Sequence, residues 1–566
     1  MMGSTVLQGL GASPGIAVGR AIVVREAESS VAPPDEAVAL AALERAAAEL
    51  GRAAESLRNS GLADEAEILE ANRLMAEDPS LAASVRELAS RLAPAEALRA
   101  AAEAFASVLA GLPDPVLAGR ASDVRELGRR AARIADGSAA QLLVEAESIL
   151  LARDLGPAEI AELELGEGRI VGVALSEGSP TAHAAIVARS LGLPMAVAFG
   201  DDLAVIADGT VLVLDGEQGV VSVDPARTEL EEAHESLRQG SRRRRALAGL
   251  RGLPTETLDG RRIALLCNAA SPAEIDAGLA AGAAGVGLLR TELAFLEAPA
   301  WPSEQQHRAA LEPLFAALRG RVATVRTLDF GGDKTPPFLD RTPERGLALT
   351  LAEPDALAAQ LRAIVHSGAE TRLRILLPLV ESAQQIRAVR SLLRDSFGEE
   401  HLFELGAMIE TPEGVCRATE IALEAEFLSI GTNDLVASTL GLHRDLPLAS
   451  ASTAADPAVL AHVVSIVAAA HEVGITVEVC GEAAGVPELV VLFVGLGVDE
   501  LSVAPARVDL VRGVVRALSA ERAAVLARDA LAAPSAAAAL ELVCSGEAGD
   551  ELREALEGLG GVRTRG

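Results

Sequence analysis

The chain has 566 residues, a formal net charge of −31, 50% hydrophobic residues and only 2% aromatic residues, with no tyrosine. This acidity disfavours nucleic acid and anionic lipid as partners, the scarcity of aromatic rings argues against base-stacking platforms, and no apolar run is long enough to span a bilayer. Four scattered cysteines without a C-x-x-C pair indicate neither a zinc site nor a disulfide framework, so we expect a soluble protein in a reducing cytoplasm.

The first part of the chain predicts a small α/β domain that is interrupted by helices. Strand-like sequence occurs in residues 1–30 and again in 140–226. Between them, residues 31–139 carry Ala, Glu, Leu and Arg at helical spacing, which predicts an inserted bundle of antiparallel helices if the N-terminal strand pairs back. The breaks in this pattern are Gly61, Asp78-Pro79, Pro94 and residues 112–115. Such a bundle is either purely structural or a docking surface for a partner.

Short strands and turns alternate in the second part of the small domain. The predicted strands are "SILLA", "RIVGVAL", "MAVAF" and the runs within "LAVIADGTVLVLDGEQGVVSV". Tight turns are expected at Asp208-Gly209 and Asp215-Gly216, because Asp-Gly is a strong signal for a short hairpin connection.

His183 follows the turn "SEGSPTA" and begins a short apolar helix that should stop at Gly192. We expect Thr181 to be the N-cap, with His183 in the first helical turn. The free amides at this end disfavour an imidazolium but would stabilise a phosphoryl group on the ring. A neutral, nucleophilic histidine fits this position; the alternative is a histidine that is merely packed or hydrogen-bonded there.

A charged helix in residues 227–252 is predicted to be a linker. Its run Arg242 to Arg245 is either a patch that binds phosphate or nucleic acid or, as the acidity of the whole chain favours, a solvated helix face.

Residues 253–566 predict a (β/α)8 barrel of the TIM type. Eight apolar runs alternate with helical segments, and alternation of this kind is typical of a parallel sheet closed into a barrel. The runs are "RRIALLC", "GAAGVGLL", "RVATVRTL", "LRILLPLV", "LGAMIE", "EFLSIG", "GITVEVC" and "DELSVAP".

Polar or reactive residues stand at the ends of six of these runs, where barrels of this type carry their chemistry. They are Asn268, Arg290, Arg326, Glu410, Asn433 with Asp434, and Cys480. Two carboxylates with open positions suit Mg²⁺, so Glu410 and Asp434 are candidate ligands, unless they are ion-pair partners of the arginines. Arg290 and Arg326 offer planar forks for a phosphate or a carboxylate.

Cys480 is a candidate proton donor or acceptor, although a lone cysteine at a strand end is often only buried. The segment "DFGGDKTPP" has glycines and Lys334 but lacks the spacing of a nucleotide P-loop.

Together these motifs resemble enzyme I of the bacterial sugar phosphotransferase system, the phosphoenolpyruvate-protein phosphotransferases. The resemblance covers nearly the whole chain. It is carried by "GLGASPGIAVG", the turn and helix at His183, "GVGLLRTELAFL", "VRTLDFGGDK", "MIETPEG", "SIGTNDL", "CGEAAG" and "GVDELSVAP". Pyruvate phosphate dikinase and phosphoenolpyruvate synthase share the barrel motifs in looser form.

The resemblance implies roles for the candidate residues. His183 would take the phosphoryl group from phosphoenolpyruvate and pass it to the carrier protein HPr, which would dock on the helical insert of a swivelling phosphohistidine domain. Cys480 would protonate the enolate, and the barrel would form a homodimer. Arg290, Arg326, Arg345 and Arg444 would hold phosphate and carboxylate, Asn433 would contact phosphate, and Glu410 and Asp434 would bind Mg²⁺.

Several positions depart from the family pattern. Ser179 and Pro180 stand where the family has an arginine-containing turn, Ala348 replaces a second arginine, and Asn72 replaces a frequent histidine. These departures leave open a regulatory protein that senses phosphoenolpyruvate without turnover. A dikinase activity would need a nucleotide-binding domain, for which the sequence has no spare segment.

Overall fold

The computed structural model describes residues 5–24, 32–59, 63–110, 120–137, 147–165, 170–180, 182–296, 298–331, 334–339, 344–398, 403–442, 451–545 and 549. The chain divides into two compact units, residues 1–238 and 239–566. Each unit is described by itself. No helix in these described ranges is long and apolar enough to cross a membrane.

Unit 1 contains one mixed sheet of eight strands in the order β1-β8-β7-β3-β4-β5-β6-β2. Strands β3, β4, β5 and β6 are parallel neighbours, and the other pairs are antiparallel. The strands are β1 (Thr5–Gln8), β2 (Leu10–Ser13), β3 (Ile16–Val23), β4 (Ser148–Ala152), β5 (Ile170–Leu175), β6 (Met195–Val197), β7 (Val211–Asp215) and β8 (Val220–Val223).

The described residues between β3 and β4 form five helices, and these two strands pair directly with each other. The predicted insertion is therefore confirmed. The helices are α1 (Glu36–Asn59), α2 (Ala63–Ala76), α3 (Pro79–Ala89), α4 (Pro94–Ala110) and α5 (Ala121–Ala135). Asp78 caps α3 as predicted at that break, because its carboxylate accepts the N–H of Ser80 at 2.7 Å. The predicted breaks at Gly61 and 112–115 lie outside the described residues.

Helix α5 is buried on most of its surface although it carries many charges, because these charges pair with neighbouring elements. Arg130, itself buried, bonds Glu49 of α1 at 3.0 Å and also Glu162. Arg129 pairs with Asp154, which follows β4, at 2.5 Å. These ion pairs and the aliphatic core fix α5 between α1 and the segment after β4.

The remaining helices of unit 1 are α6 (Pro157–Leu165) and α7 (His183–Leu191), and α8 (Arg227–Ala248) runs across the division between the units. One strand prediction was wrong. The stretch Leu203–Ile206 ends a 3₁₀ helix (Gly200–Val205) instead of forming a strand. Leu203 and Ile206, three residues apart, are buried while Val205 is exposed, which is a helical spacing and not an alternating one.

Unit 2 is a closed barrel of eight parallel strands, as the sequence predicted. Its strands are β9 (Ala264–Ala269), β10 (Gly285–Leu289), β11 (Val322–Arg326), β12 (Arg372–Leu377), β13 (Glu404–Ile409), β14 (Phe427–Ile430), β15 (Thr476–Val479) and β16 (Glu500–Val503). They pair in sequence, and β16 closes on β9 with Glu500 opposite Ala264.

Helices follow the strands around the outside of the barrel. They are α9 (Pro272–Ala280), α10 (Glu304–Ala317), α11 (Gly346–Ala352), α12 (Pro354–Ser367), α13 (Ala383–Phe397), α14 (Pro412–Cys416), α15 (Ala418–Ala422), α16 (Thr432–Leu440), α17 (Pro457–Val473), α18 (Pro487–Leu496), α19 (Val508–Ala517), α20 (Ala520–Leu531) and α21 (Ala536–Cys544). Capping boxes at Ser271, Ser303 and Ser382 begin three of them.

The side chains of each barrel strand alternate between two cores. One set packs between strands and helices in a large aliphatic cluster, and a smaller set, including Leu376, Met408, Phe427 and Cys480, fills the barrel interior. The carboxyl ends of all eight strands share one face of the barrel, because the strands are parallel.

Candidate functional site

His183 is the first residue of α7, directly after the turn that leaves β5. Ala182, in an extended conformation, is the N-cap and provides no side-chain hydrogen bond, so the predicted cap at Thr181 is wrong by one position; Thr181 itself lies outside the described residues. Helix α7 ends at Gly192 in the left-handed region with φ 67°, as predicted. The His183 side chain retains 28% of its accessible surface, so the ring is open to a reactant.

The ring of His183 is oriented by a carboxylate that sequence analysis did not identify. Nδ1 lies 3.1 Å from Oδ1 and 3.0 Å from Oδ2 of Asp123 on α5. Asp123 is buried and also contacts Arg120 at 3.2 Å. An ionised carboxylate only accepts, so a neutral ring must carry its proton on Nδ1. The lone pair is then on Nε2, which is the nitrogen available to attack an electrophile.

We expect Asp123→Ala to shift the neutral His183 ring toward the tautomer with the proton on Nε2, because the acceptor that holds the proton on Nδ1 is lost. The ¹⁵N chemical shifts of histidine-labelled protein measure this change. Glu103→Ala, which removes an exposed carboxylate paired with Arg125, is the matched control and should leave the ring unchanged. An unchanged His183 signal in Asp123→Ala would contradict the assignment of the tautomer.

A second group of charges surrounds Arg326 at the end of β11. The guanidinium of Arg326 bonds Glu292 and lies 3.2 Å from Oδ2 of Asp329, and all three residues are buried. Nζ of Lys334 donates to Glu292 at 2.8 Å. Burial opposes ionisation of Glu292, but the charges of Arg326 and Lys334 hold its pKa at about 2. The carboxylate of Glu292 therefore holds two cations, Arg326 and Lys334, and Arg326 contacts Asp329 as a second buried carboxylate.

Glu410 is the buried carboxylate at the end of β13. Its Oε1 accepts the N–H of Leu379 at 2.9 Å, and Leu379 adopts a left-handed conformation with φ 50°. Burial and the charges of Asp434 and Asp329 raise the pKa of Glu410 to about 8, although the charge of Arg326 opposes this shift. Such mutually repelling carboxylates are stabilised when a divalent cation binds between them.

Asp434, in the first turn of α16, has an ion-pair partner as well. Arg345 lies 3.4 Å from its Oδ1, so Asp434 pairs with an arginine other than the strand-end arginines Arg290 and Arg326 that the sequence suggested as alternatives to a metal. Within the described residues, no cluster of three or more His, Cys, Asp or Glu side chains could hold a metal ion by itself. Glu410 and Asp434 fit a cation whose remaining ligands are water and substrate oxygens.

Cys480 follows β15 and faces the barrel interior. The hydroxyl of Ser429 donates to its Sγ at 3.2 Å, and Sγ lies 3.7 Å from the carbonyl oxygen of Ile430. Burial and the charge of Glu478 raise the pKa of the Cys480 thiol to about 12. The group is therefore a thiol at neutral pH, which is the form that donates a proton.

Asn268, Asn433 and Arg290 lie at the same end of the barrel. Asn268 donates to the carbonyl of Cys480 at 3.0 Å, and Oδ1 of Asn433 accepts the N–H of Glu482 at 3.3 Å, so both amides fix the backbone around Cys480. Arg290 is half-buried and directly follows β10. Arg444 lies outside the described residues.

Sequence reasoning missed several members of the site. Asp329 and Lys334 lie in "DFGGDKTPP", a segment that contributes to the resemblance without a role for either side chain, and Glu292 lies two residues after Arg290. Their closeness to the predicted arginines along the chain was a usable signal. Asp123 gave no such signal, since it is far from His183 in sequence and reaches it only through the packing of α5.

Three segments of the chain match families of known proteins. Residues 8–120 match the family described as PEP-utilising enzyme, N-terminal. Residues 144–219 match PEP-utilising enzyme, mobile domain, and residues 244–520 match PEP-utilising enzyme, PEP-binding domain.

Relatives that are similar over most of the chain have two kinds of name. A phosphoenolpyruvate-protein phosphotransferase of Streptomyces coelicolor is 36% identical over 96% of this chain and 100% of its own length. One of Haemophilus influenzae is 30% identical over 95% of this chain and 98% of its own length. A multiphosphoryl transfer protein of Xanthomonas campestris pv. campestris is 36% identical over 92% of this chain, which spans only 65% of that longer protein.

Proposed function

Because the chain belongs to the phosphoenolpyruvate-protein phosphotransferases, a family of transferase enzymes, we propose that it moves the phosphoryl group of phosphoenolpyruvate to its own His183 and then to a histidine of the carrier protein HPr. The observation that carries the proposal is the pairing of Nδ1 of His183 with Asp123. It leaves Nε2 as a nucleophile at a helix N-terminus that stabilises a phosphoryl dianion.

In the proposed reaction, Arg290, Arg326, Arg345 and Arg444 bind the phosphate and carboxylate of the substrate, and Asn433 contacts the phosphate. Glu410 and Asp434 would hold Mg²⁺, which when bound neutralises charge on the substrate oxygens. Nε2 of His183 forms the bond to phosphorus while the bond from phosphorus to the enol oxygen breaks. Cys480 gives its proton to the methylene carbon of the enolate, and pyruvate leaves.

The imidazole must meet phosphoenolpyruvate in one step and the carrier in the next, so the proposal requires the small domain to swivel. We assign HPr docking to the helical insert and homodimer formation to the barrel. Cys267, Cys416 and Cys480 are free thiols in the structure, which supports the proposed cytoplasmic location.

The test of the proposed function is the phosphorylation of the full chain by phosphoenolpyruvate with Mg²⁺. Intact mass should show one acid-labile phosphoryl group, and addition of HPr should remove it. A label that depends on ATP would indicate a dikinase. Tight binding of phosphoenolpyruvate without any label would instead favour the regulatory sensor. The turn before His183, which departs from the family pattern, motivates the sensor as the alternative. Arg189 donates to the carbonyl of Pro180 at 2.9 Å and so restrains this turn.

We expect Gly431→Ala to weaken binding of a divalent cation by about tenfold, because an added β-carbon would collide with Oε2 of Glu410 and displace this carboxylate. Titration with Mn²⁺ followed by electron paramagnetic resonance measures the affinity. Gly240→Ala, in α8 with open space around its α-carbon, is the control and should bind Mn²⁺ like the wild type. Equal affinity in both variants would remove Glu410 from the ligand set.

Cys480→Ala should slow pyruvate formation by about a hundredfold, the lower range for a positioned proton donor, and leave Mn²⁺ affinity unchanged. Coupled pyruvate detection and the same Mn²⁺ titration provide the two readings. Loss of metal affinity in Cys480→Ala would contradict the role assigned to the thiol.

A further inference from the structure

Glu478 is a buried carboxylate inside the barrel that the proposed reaction does not use. On β15, Val477 and Val479 pack in the cluster between strands and helices, so the alternate residues Glu478 and Cys480 face the interior. Glu478 has no exposed surface, and no hydrogen bond of good geometry reaches its carboxylate oxygens in the described part of the chain, although the hydroxyl of Ser502 lies close to them. The nearby hydroxyl of Ser502 donates instead to Oδ1 of Asn268 at 2.6 Å.

The charges around Glu478 do not neutralise it. Arg374 on β12 bonds Glu500 on β16 at 2.6 Å and lies 3.1 Å from Glu404 on β13. Its guanidinium also lies over the ring of Phe427, 3.9 Å from the centroid. Arg374 is therefore already shared by two carboxylates, and Glu478 is a third carboxylate facing the same cation.

A buried carboxyl in this position holds its proton at neutral pH. Burial and the charge of Glu500 raise the pKa of Glu478 to about 8, and the charge of Arg374 opposes this shift only in part. Ionising a buried group without a partner is costly, so the neutral acid is the stable form.

Glu478 and Cys480 are neighbours through the sheet. Ser429, which donates to Sγ of Cys480 at 3.2 Å, is the partner of Glu478 in the ladder between β14 and β15. On β10, Gly287 leaves the space that the carboxyl occupies, since a β-carbon there would collide with Oε1 of Glu478. When Glu478 is ionised, its charge raises the pKa of Cys480, so the protonation state of one group affects that of the other.

We propose that Glu478 is a proton reservoir for Cys480, a role that rests on the proposed function. In the first step the S–H bond of Cys480 breaks and a C–H bond forms on the enolate carbon. In the second step the O–H bond of Glu478 breaks and the S–H bond forms again. Solvent returns a proton to the carboxylate of Glu478 after pyruvate leaves, so one proton is taken up for each proton given to the enolate.

The direction of the second step follows from the acidities. A carboxyl is a stronger acid than a thiol, and burial raises the pKa of the Cys480 thiol as it raises that of Glu478, so the proton passes from the carboxyl to the thiolate. Without this transfer, Cys480 would remain a buried thiolate near Arg326, a cation already paired with Glu292 and Asp329, and the next enolate would find no acid.

The reverse proton transfer provides the test, because the same groups exchange the methyl protons of pyruvate with solvent. The full chain is incubated with Mg²⁺ and pyruvate in D₂O, and loss of the methyl signal is followed by ¹H NMR. We expect Glu478→Gln to slow exchange by about a hundredfold and Glu478→Asp to restore part of the rate, since only the acid carries a transferable proton. Glu404→Gln, which removes a half-exposed partner of Arg374, is the matched control and should exchange at the wild-type rate.

Two further measurements make the result decisive. His183 phosphorylation in a single turnover should be equal in the wild type and Glu478→Gln, and so should the melting temperature, since glutamine keeps the shape of the neutral acid. Wild-type exchange in Glu478→Gln would overturn the reservoir while leaving the proposed function intact. Failure of the wild type to label His183 would overturn the proposed function itself.

Discussion

His183→Ala is expected to abolish labelling by phosphoenolpyruvate, a loss of about a millionfold on the scale seen when a covalent nucleophile is removed. The physical reason is that no other group at the start of α7 combines an exposed imidazole nitrogen with a carboxylate that fixes the tautomer. Intact mass before and after mild acid treatment measures the acid-labile phosphoryl group.

The control for this variant is His234→Ala, which removes an exposed histidine of α8. It should label like the wild type. The chain has one tryptophan, Trp301, whose ring lies 5.9 Å from Phe330, the residue after Asp329. Its fluorescence should report phosphoenolpyruvate binding equally in the wild type and His183→Ala. Persistent labelling of His183→Ala would move the phosphorylated residue elsewhere.

Arg326→Met should destabilise the barrel by about 3–5 kcal/mol, the usual loss when one partner of a buried ion pair is removed. The substitution leaves Glu292 completely buried with Lys334 as its remaining cation, and it leaves Asp329 without the guanidinium that lies 3.2 Å away. Urea unfolding followed by Trp301 fluorescence measures the loss in the barrel, where this tryptophan lies.

Arg319→Met is the matched control, because Arg319 and its partner Glu370 are both largely exposed. An exposed pair contributes only about 0–1 kcal/mol, so the two arginines should differ severalfold in their effect. Equal urea midpoints for Arg326→Met and the wild type would show that Glu292 does not depend on this guanidinium.

The difference in stability between the wild type and Arg326→Met should depend on pH. The pKa of Glu292 is about 2 in the folded chain, below its ordinary value near 4.3 in an unfolded chain. A lowered pKa contributes stability that is fully present above the unfolded value and is lost as pH falls through the folded value. The gap between wild type and Arg326→Met should therefore be complete at pH 7 and shrink as pH falls from about 4 toward 2.

The architecture followed from local patterns, and the site followed from them only in part. Eight apolar runs with intervening helical segments are sufficient to predict a barrel, because each strand is buried on both sides and each helix must cover it. The strand ends then had to share one face, which is why Arg326, Glu410 and Cys480 could be named. The strand prediction at Leu203 was wrong because so few apolar residues fit both the spacing of a helix and the alternation of a strand.

The partners of these residues could not be predicted, since they depend on packing between distant segments. Asp123 reaches His183 only because α5 is held by the ion pairs of Arg129 and Arg130. Arg345 reaches Asp434 from the loop before α11. The positions of residues along the chain identify candidate reactive and binding side chains. The tertiary structure determines which of these side chains form ion pairs with one another.

The helices between β3 and β4 have a consequence for synthesis on the ribosome. Strand β3 emerges long before β4 and β7, the two strands that flank it in the finished sheet. The bundle has mostly local contacts and folds early, while the edges of β3 remain open to wrong pairing until the rest of the small domain is translated. A nascent chain of this protein therefore exposes an unsatisfied strand for most of the translation of unit 1.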